Sequence, residues 1–211
     1  MSDPRSLFIA GTDTGVGKTR VAARLIRNYV AQGARVSGMK PVAAGAEPGP
    51  DGLRNDDALA LQAAGNIAIP YALLNPYCLS LATSPHLAAR AADVSIEPGR
   101  VFEAYARITG FADVVVVEGA GGWLAPISPS QSMADIAIAL GLPVVLVVGM
   151  RLGCLSHALL TAAAIQTTGL SLAGWYANQI DPAFEPMADY LDSLQQRLPA
   201  PRLGFMAYGD A

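Results

Sequence analysis

The stretch Gly11-Thr12-Asp13-Thr14-Gly15-Val16-Gly17-Lys18-Thr19 constrains this chain more than any other. It follows the apolar run Leu7, Phe8, Ile9, Ala10 and opens a pattern of Val21, Ala22, Leu25, Ile26 and Tyr29 at helical spacing, so it reads as a strand-to-helix turn. Glycines at 15 and 17 let backbone N–H groups turn onto an anion, and the helix start adds the positive end of its dipole. In such a cradle Lys18 reaches terminal phosphates and the Thr19 hydroxyl holds Mg²⁺. The spacing departs from the strict G-x-x-x-x-G-K-[ST] form, because five residues separate Gly11 from Gly17 and the first glycine of the form is Thr12. An ordinary glycine-rich turn also accommodates a G-K-T triplet, and the flanking strand and helix favour the phosphate reading.

Beyond the loop the chain alternates. Residues 35–39 read as a second strand ending at Lys40-Pro41, 43–54 as a glycine- and proline-rich loop, and 56–64 as a helix capped by Asn55. Asn75-Pro76 and Ser84-Pro85 mark turns, the latter starting a short helix over 85–92. A helix over 98–109 precedes Asp113-Val-Val-Val-Val117, a β-branched run expected of a strand covered on both faces. Helices over 132–140, 156–168 and 184–197 then alternate with strands over 143–148, 172–177 and 202–205. This pattern predicts an α/β fold with a doubly wound, mostly parallel sheet. Ligands in such folds sit beyond the carboxyl ends of the strands. The glycine loop, Lys40, Glu118, the turn at 152–154 and Asn178 each follow a strand, so all are expected on one rim.

At 211 residues, with 52% hydrophobic and 15% charged side chains, the expectation is one well-buried domain over 1–211. A net charge of −3 argues against a nucleic-acid-coating surface. Cys78 and Cys154 fit no zinc or C-x-x-C spacing and read as buried, reduced thiols. No apolar stretch approaches the roughly 18 residues of a membrane span, and the first is too short for a signal sequence. A cytoplasmic protein is expected.

Glu118 closes the valine strand, where a carboxylate emerging from so apolar a run meets a ligand or the metal beside Thr19. Asp56 and Asp57 both suit the first turn of their helix, and local sequence does not choose which of them, if either, is a metal ligand. Lys40 is either a solvated strand-end lysine or a second cation on a transferring phosphoryl group. His86 and His157 read as structural. At Cys154 the backbone N–H groups opening the next helix matter more than the thiol, and suit a carboxylate.

Taken together, Gly11-Thr-Asp-Thr-x-Val-Gly-Lys-Thr19, Lys40-Pro-Val-Ala43, Gly52-Leu-Arg-Asn-x-Asp57, Asn75-Pro-Tyr77, Thr83-Ser-Pro-His86, Val117-Glu-Gly-Ala-Gly-Gly122, Leu152-Gly-Cys154 and Leu172-Ala-Gly174 with Asn178 resemble the dethiobiotin synthetases nearly end to end. The resemblance implies a P-loop NTPase-like fold and an enzyme using 7,8-diaminononanoate, CO₂ and MgATP in biotin biosynthesis. It implies a carbamate, then a carbamic-phosphoric anhydride, then ring closure. Lys18 and Lys40 match the family's phosphate- and carbamate-contacting lysines, and Thr14 its substrate-contacting threonine. Gly15, Val16, Gly17, Lys18 and Thr19 match the ATP loop, with Glu118, Gly119, Ala120 and Gly121 as a second ATP-binding stretch. Thr19, Asp57 and Glu118 match the metal set. Asn178 and Gln179 take the adenine-reading position, with Ala207, Tyr208 and Gly209 nearby. The implied homodimer completes its site across the interface, Gly153, Cys154, Leu155 and Tyr190 holding the substrate's distant carboxylate. Gly15 replaces a common glutamate, Ala44 a substrate-contacting serine and Gln179 an acidic residue, and the tail lacks a usual proline.

A dimeric ATPase switch is the alternative of a different class. Such switches carry a second lysine five residues before the invariant one, where this chain has Asp13. An iron–sulfur reductase component is disfavoured by the cysteines, and a cobalamin amide synthetase by the lack of room for a glutaminase domain.

Overall fold

Successive side chains of a strand point to opposite faces, so the four valines from Val114 to Val117 demand apolar cover on both sides. The computed structural model, which describes residues 6–185 and 187–210, provides it. In chain order the elements are β1 (Leu7–Gly11), α1 (Lys18–Ala31), β2 (Val36–Met39), β3 (Val42–Ala44), β4 (Glu47–Gly49), β5 (Gly52–Arg54), α2 (Asp56–Ala64), α3 (Tyr71–Leu74), β6 (Tyr77–Leu79), α4 (Pro85–Ala91), α5 (Pro98–Thr109), β7 (Val114–Glu118), α6 (Met133–Leu140), β8 (Val144–Met150), α7 (Cys154–Thr167), β9 (Leu172–Gln179), α8 (Met187–Arg197) and β10 (Arg202–Met206).

Six strands form the main sheet in the order β10-β9-β8-β1-β7-β2, each pair parallel. Ile9, Val116 and Val147 pack on one face with Val21 and Ile26 of α1 and Leu61 of α2. Phe8, Val117 and Leu146 pack on the other with Ile108 of α5, Ile136 of α6 and Ile165 of α7. Among the described residues no helix is long and apolar enough to cross a membrane.

The sheet order aims the site. β1 lies between β7 and β8, so the chain's crossovers diverge there and leave a crevice beyond Gly11. The register Met39↔Val117 and Ile9↔Glu118 brings Lys40, one residue past β2, to the same rim as Glu118 at the end of β7.

Four stretches differ from expectation. The 43–54 segment is not a plain loop: β4 and β5 form an antiparallel hairpin in which Glu47 pairs with Arg54, with Pro50 and Asp51 in the turn and Gly52, at φ 101, opening the return strand opposite Gly49. Two of the glycines that read as loop signals, Gly49 and Gly52, are the pair that closes the hairpin beside its turn. The unassigned middle also holds α3 and β6, which pairs with β3 over three positions, too few for any period to show in sequence. The strand after β8 runs on to Gln179, and α7 begins at Cys154, two residues before the expected start.

Candidate functional site

The helix that follows β1 starts without a side-chain cap. Its N-cap is Gly17, at φ 86, which leaves the first N–H groups of α1 for an anion. Only glycine fits there, because a Cβ on Gly17 would lie 2.0 Å from Asn178 Nδ2. Lys18 is buried, and its Nζ donates to Asp13 O at 2.9 Å. Burial first, and then the charge of Lys40, lower its pKa to about 8.

Lys40 is 3% exposed and held by its backbone as well as its charge: its N–H donates to Leu74 O and its carbonyl accepts from Asn75 Nδ2. Its Nζ donates to Glu118 Oε1 at 2.6 Å and to Asp57 Oδ2 at 2.9 Å. Burial pushes the Lys40 pKa down, but Glu118 and Asp57 outweigh it and hold the ammonium above its ordinary value. Asp57 is likewise pushed up by burial and held below the usual carboxylate range by Lys40. The Thr19 hydroxyl lies 2.8 Å from Asp57 Oδ1 and 2.9 Å from Glu118 Oε1. With a single proton it donates to only one of them at a time. Of the two first-turn carboxylates, Asp57 faces this cluster, while Asp56 is exposed.

This oxygen set fits Mg²⁺. Glu118 Oε2 is buried and has no hydrogen-bond partner among the described residues, an acceptor left over beside the Thr19 hydroxyl. No group of three or more His, Cys, Asp or Glu side chains forms a cage among the described residues. Two carboxylates and a hydroxyl are nonetheless the sparse set that Mg²⁺ completes with phosphate and water.

Thr14, Gly15, Gly17, Lys18, Thr19, Lys40, Ala44, Asp57, Glu118, Ala120 and Gly121 line one cavity of about 710 Å³. Val16 is buried behind the loop, and Gly119 turns its carbonyl to Lys40. The structure does not bring the other expected residues into that lining. Asn178 is 1% exposed, its Nδ2 donating to Val16 O at 2.8 Å. Gln179 Oε1 accepts from Tyr208 N, so Gln179 and the Ala207–Gly209 segment meet each other outside the lining. Gly153, Cys154, Leu155 and Tyr190 also stay outside it. The Cys154 N–H is committed to Arg151 O, and Tyr190 packs edge-on against Phe184 at 4.8 Å. Cys154 is buried as expected, but Cys78 is only half-buried.

Two arginines escaped sequence reasoning. Arg151 pairs with Asp13 at 2.5 Å, and Arg20 lines the cavity. Arg20 left a signal: a cation in the first turn of a helix opposes the dipole and needs another partner.

A family model described as "AAA domain" matches residues 5–209. Over 201 residues the chain is 49% identical to the ATP-dependent dethiobiotin synthetase BioD of Xanthomonas oryzae pv. oryzae (strain PXO99A), covering 95% of this chain and 90% of that protein. The chain belongs to the dethiobiotin synthetase family. The BioD protein of Aromatoleum aromaticum is also 49% identical, over 99% of this chain and 92% of its own. Among solved structures, the ParA family ATPase of Chlorobium tepidum TLS superposes with a TM-score of 0.60 at 13% identity, over 99% of this chain and 86% of that one. That likeness places this dethiobiotin synthetase family member in the P-loop NTPase fold.

Proposed function

We propose that the chain catalyses the ATP- and Mg²⁺-dependent carboxylation and ring closure of 7,8-diaminononanoate with CO₂, giving dethiobiotin, ADP and phosphate. The observation that carries this reading is the convergence of Lys18, Lys40, Thr19, Asp57 and Glu118 on one cavity. The names of the relatives support the product and the use of ATP.

In this reading one amine of the diamine adds to CO₂ and loses a proton, forming a carbamate. A carbamate oxygen attacks the γ-phosphorus as ADP departs. The second amine then attacks the anhydride carbonyl carbon, phosphate leaves with its bridging oxygen, and loss of the amine proton leaves the cyclic urea. Lys18 and Lys40 neutralise charge on the migrating phosphoryl oxygens, and Lys40 also steadies the carbamate. Thr14 orients the diamine. Thr19, Asp57 and Glu118 would hold Mg²⁺, which when bound clamps the phosphate oxygens. Ala44 offers no hydroxyl to substrate, a contact worth about 0.5–1.5 kcal/mol.

We place the distant carboxylate of the diamine against Gly153, Cys154, Leu155 and Tyr190 of a second copy, in a homodimer. That these residues lie outside the chain's own cavity supports this, as do the exposed Leu124 and Leu160 beside a smaller apolar cavity. We take residues 1–211 to act as one catalytic domain, in the cytoplasm.

The test is phosphate release from ATP with the diamine and bicarbonate supplied separately and together. Release is expected only with both. Robust turnover of ATP alone would favour the ATPase switch, against which Asp13, held by Arg151, already argues.

A further inference from the structure

Tyr71 stands behind the site, in the wall of a second cavity of about 550 Å³ that it shares with Arg54, Asn75 and Cys78 and whose lining has no residue in common with that of the first. The Arg54 guanidinium covers its ring, 4.3 Å from the centroid. Its hydroxyl accepts from Asn55 N at 2.8 Å and lies 3.3 Å from Asn75 Oδ1. What Asn75 does elsewhere fixes the direction of that second bond. Asn75 Nδ2 donates to Lys40 O at 2.6 Å and to Tyr77 O at 3.3 Å, so Oδ1 must face the phenol and accept from it.

One hydroxyl therefore joins the two stretches that carry the reacting cluster. On one side Asn55 caps α2, its Oδ1 accepting from Asp57 N and Ala58 N, so the place of Asn55 sets the place of Asp57. On the other side Asn75 holds the Lys40 carbonyl, next to Leu74, whose carbonyl accepts from the Lys40 N–H. Beyond these anchors the Lys40 and Asp57 side chains meet at 2.9 Å. The contacts close a circuit from Tyr71 through Asn75, Lys40, Asp57 and Asn55 back to Tyr71. Without the hydroxyl, Asn55 N–H and Asn75 Oδ1 lose the partner they share, and the two anchors are free to part.

We propose that Tyr71 is a positioning residue for the phosphoryl-transfer step: its hydroxyl pins the cap of α2 to the turn behind Lys40 and so fixes where Lys40 and Asp57 stand relative to each other. Tyr71 lies outside the cavity lining and acts through Asn55 and Asn75. This rests on the catalytic reading above.

The test is phosphate release by Tyr71→Phe, which keeps the ring and its contact with Arg54, from Mg²⁺-ATP with diamine and bicarbonate. The rate is divided by the number of nucleotide sites, counted by calorimetric titration with Mg²⁺-ADP. The relayed misplacement is expected to lower this per-site kcat about tenfold, with KM for ATP and for diamine within about threefold of wild type. A merely structural role would reduce the number of sites and leave the per-site kcat where it was. An unchanged per-site kcat, or a change in KM alone, overturns the proposal. Cys78→Ala removes the hydroxyl's other neighbour, 3.8 Å away, and should leave the per-site kcat unchanged. A loss there equal to that of Tyr71→Phe would assign the effect to the cavity wall and overturn the proposal. If Tyr71→Phe does not fold, Asn75→Ser, which cuts the link on the Lys40 side, decides by the same measure, and an unchanged per-site kcat there overturns it. A wild type that releases no phosphate with diamine and bicarbonate together would instead overturn the catalytic reading itself.

Discussion

The two ends of the nucleotide crevice are built on different physics. At the inner end Lys40, 3% exposed, and Glu118, 1% exposed, neutralise each other out of water, with Asp57 and Thr19 bridging them. At the outer end a half-buried Arg20 grips backbone carbonyls and one amide. Removing an inner member leaves a charge buried without its partner, which costs both fold and chemistry. Removing an outer member lets carbonyls return to water, so the consequence falls on geometry.

The sharpest way to break this contrast is Lys40→Ala. Losing one preorganised cation from a charge-developing site typically costs about 10²–10³ in kcat. Steady-state turnover should fall by that much with secondary structure kept by circular dichroism, and a kcat within threefold of wild type would remove Lys40 from the chemistry. Glu118→Ala tests the stability side of the same cluster. Breaking a buried ion pair costs about 3–5 kcal/mol, and the lower part of that range is expected here because Asp57 still pairs with Lys40. Urea unfolding reads the difference, and a shift under 1 kcal/mol would mean that the pair is solvated.

A subtler effect concerns Lys18. With its pKa lowered to about 8, the free enzyme's ammonium is present below that pH and lost above it. Affinity for ATP should therefore decline as pH rises through about 8. Because a bound triphosphate favours the charged form, nucleotide binding near that pH should take up protons, detected as a heat that varies with buffer ionisation enthalpy. A flat affinity from pH 7 to 9.5 would contradict it. The smallest effect is expected at the rim. Asp13 and Arg151 side chains are 46% and 43% exposed, so Asp13→Asn should change stability by no more than about 1 kcal/mol by urea unfolding.

The same contrast governs what could be read from the residues alone. The strand of Val114 to Val117 and the helix of Val21, Ala22 and Ile26 announce themselves, because burial on a fixed period leaves a pattern. Glu118 and Lys40 were legible as charges at apolar strand ends. Their mutual 2.6 Å contact depends on the register of β2 against β7, which no local pattern encodes. Local pattern did not separate Asp57 from Asp56: the resemblance named Asp57, and the docked α2 turns it to Thr19. The hairpin at Glu47–Arg54 stayed hidden because three-residue strands are too short to alternate visibly. Arg20 was overlooked because its partners, Asn178 and Ala207, lie far along the chain and two of its acceptors are backbone carbonyls.

The central claim, that a carbonated amine attacks the γ-phosphorus among Lys18, Lys40 and the Glu118 cluster, is open to direct test by oxygen tracing. Diamine and ATP are supplied with freshly dissolved ¹⁸O-labelled CO₂ in unlabelled water, and the released phosphate is examined by mass spectrometry within a single turnover. Transfer of one ¹⁸O from carbon to phosphorus per turnover is the predicted result. Phosphate carrying no ¹⁸O would mean that water attacks ATP, and would contradict the account.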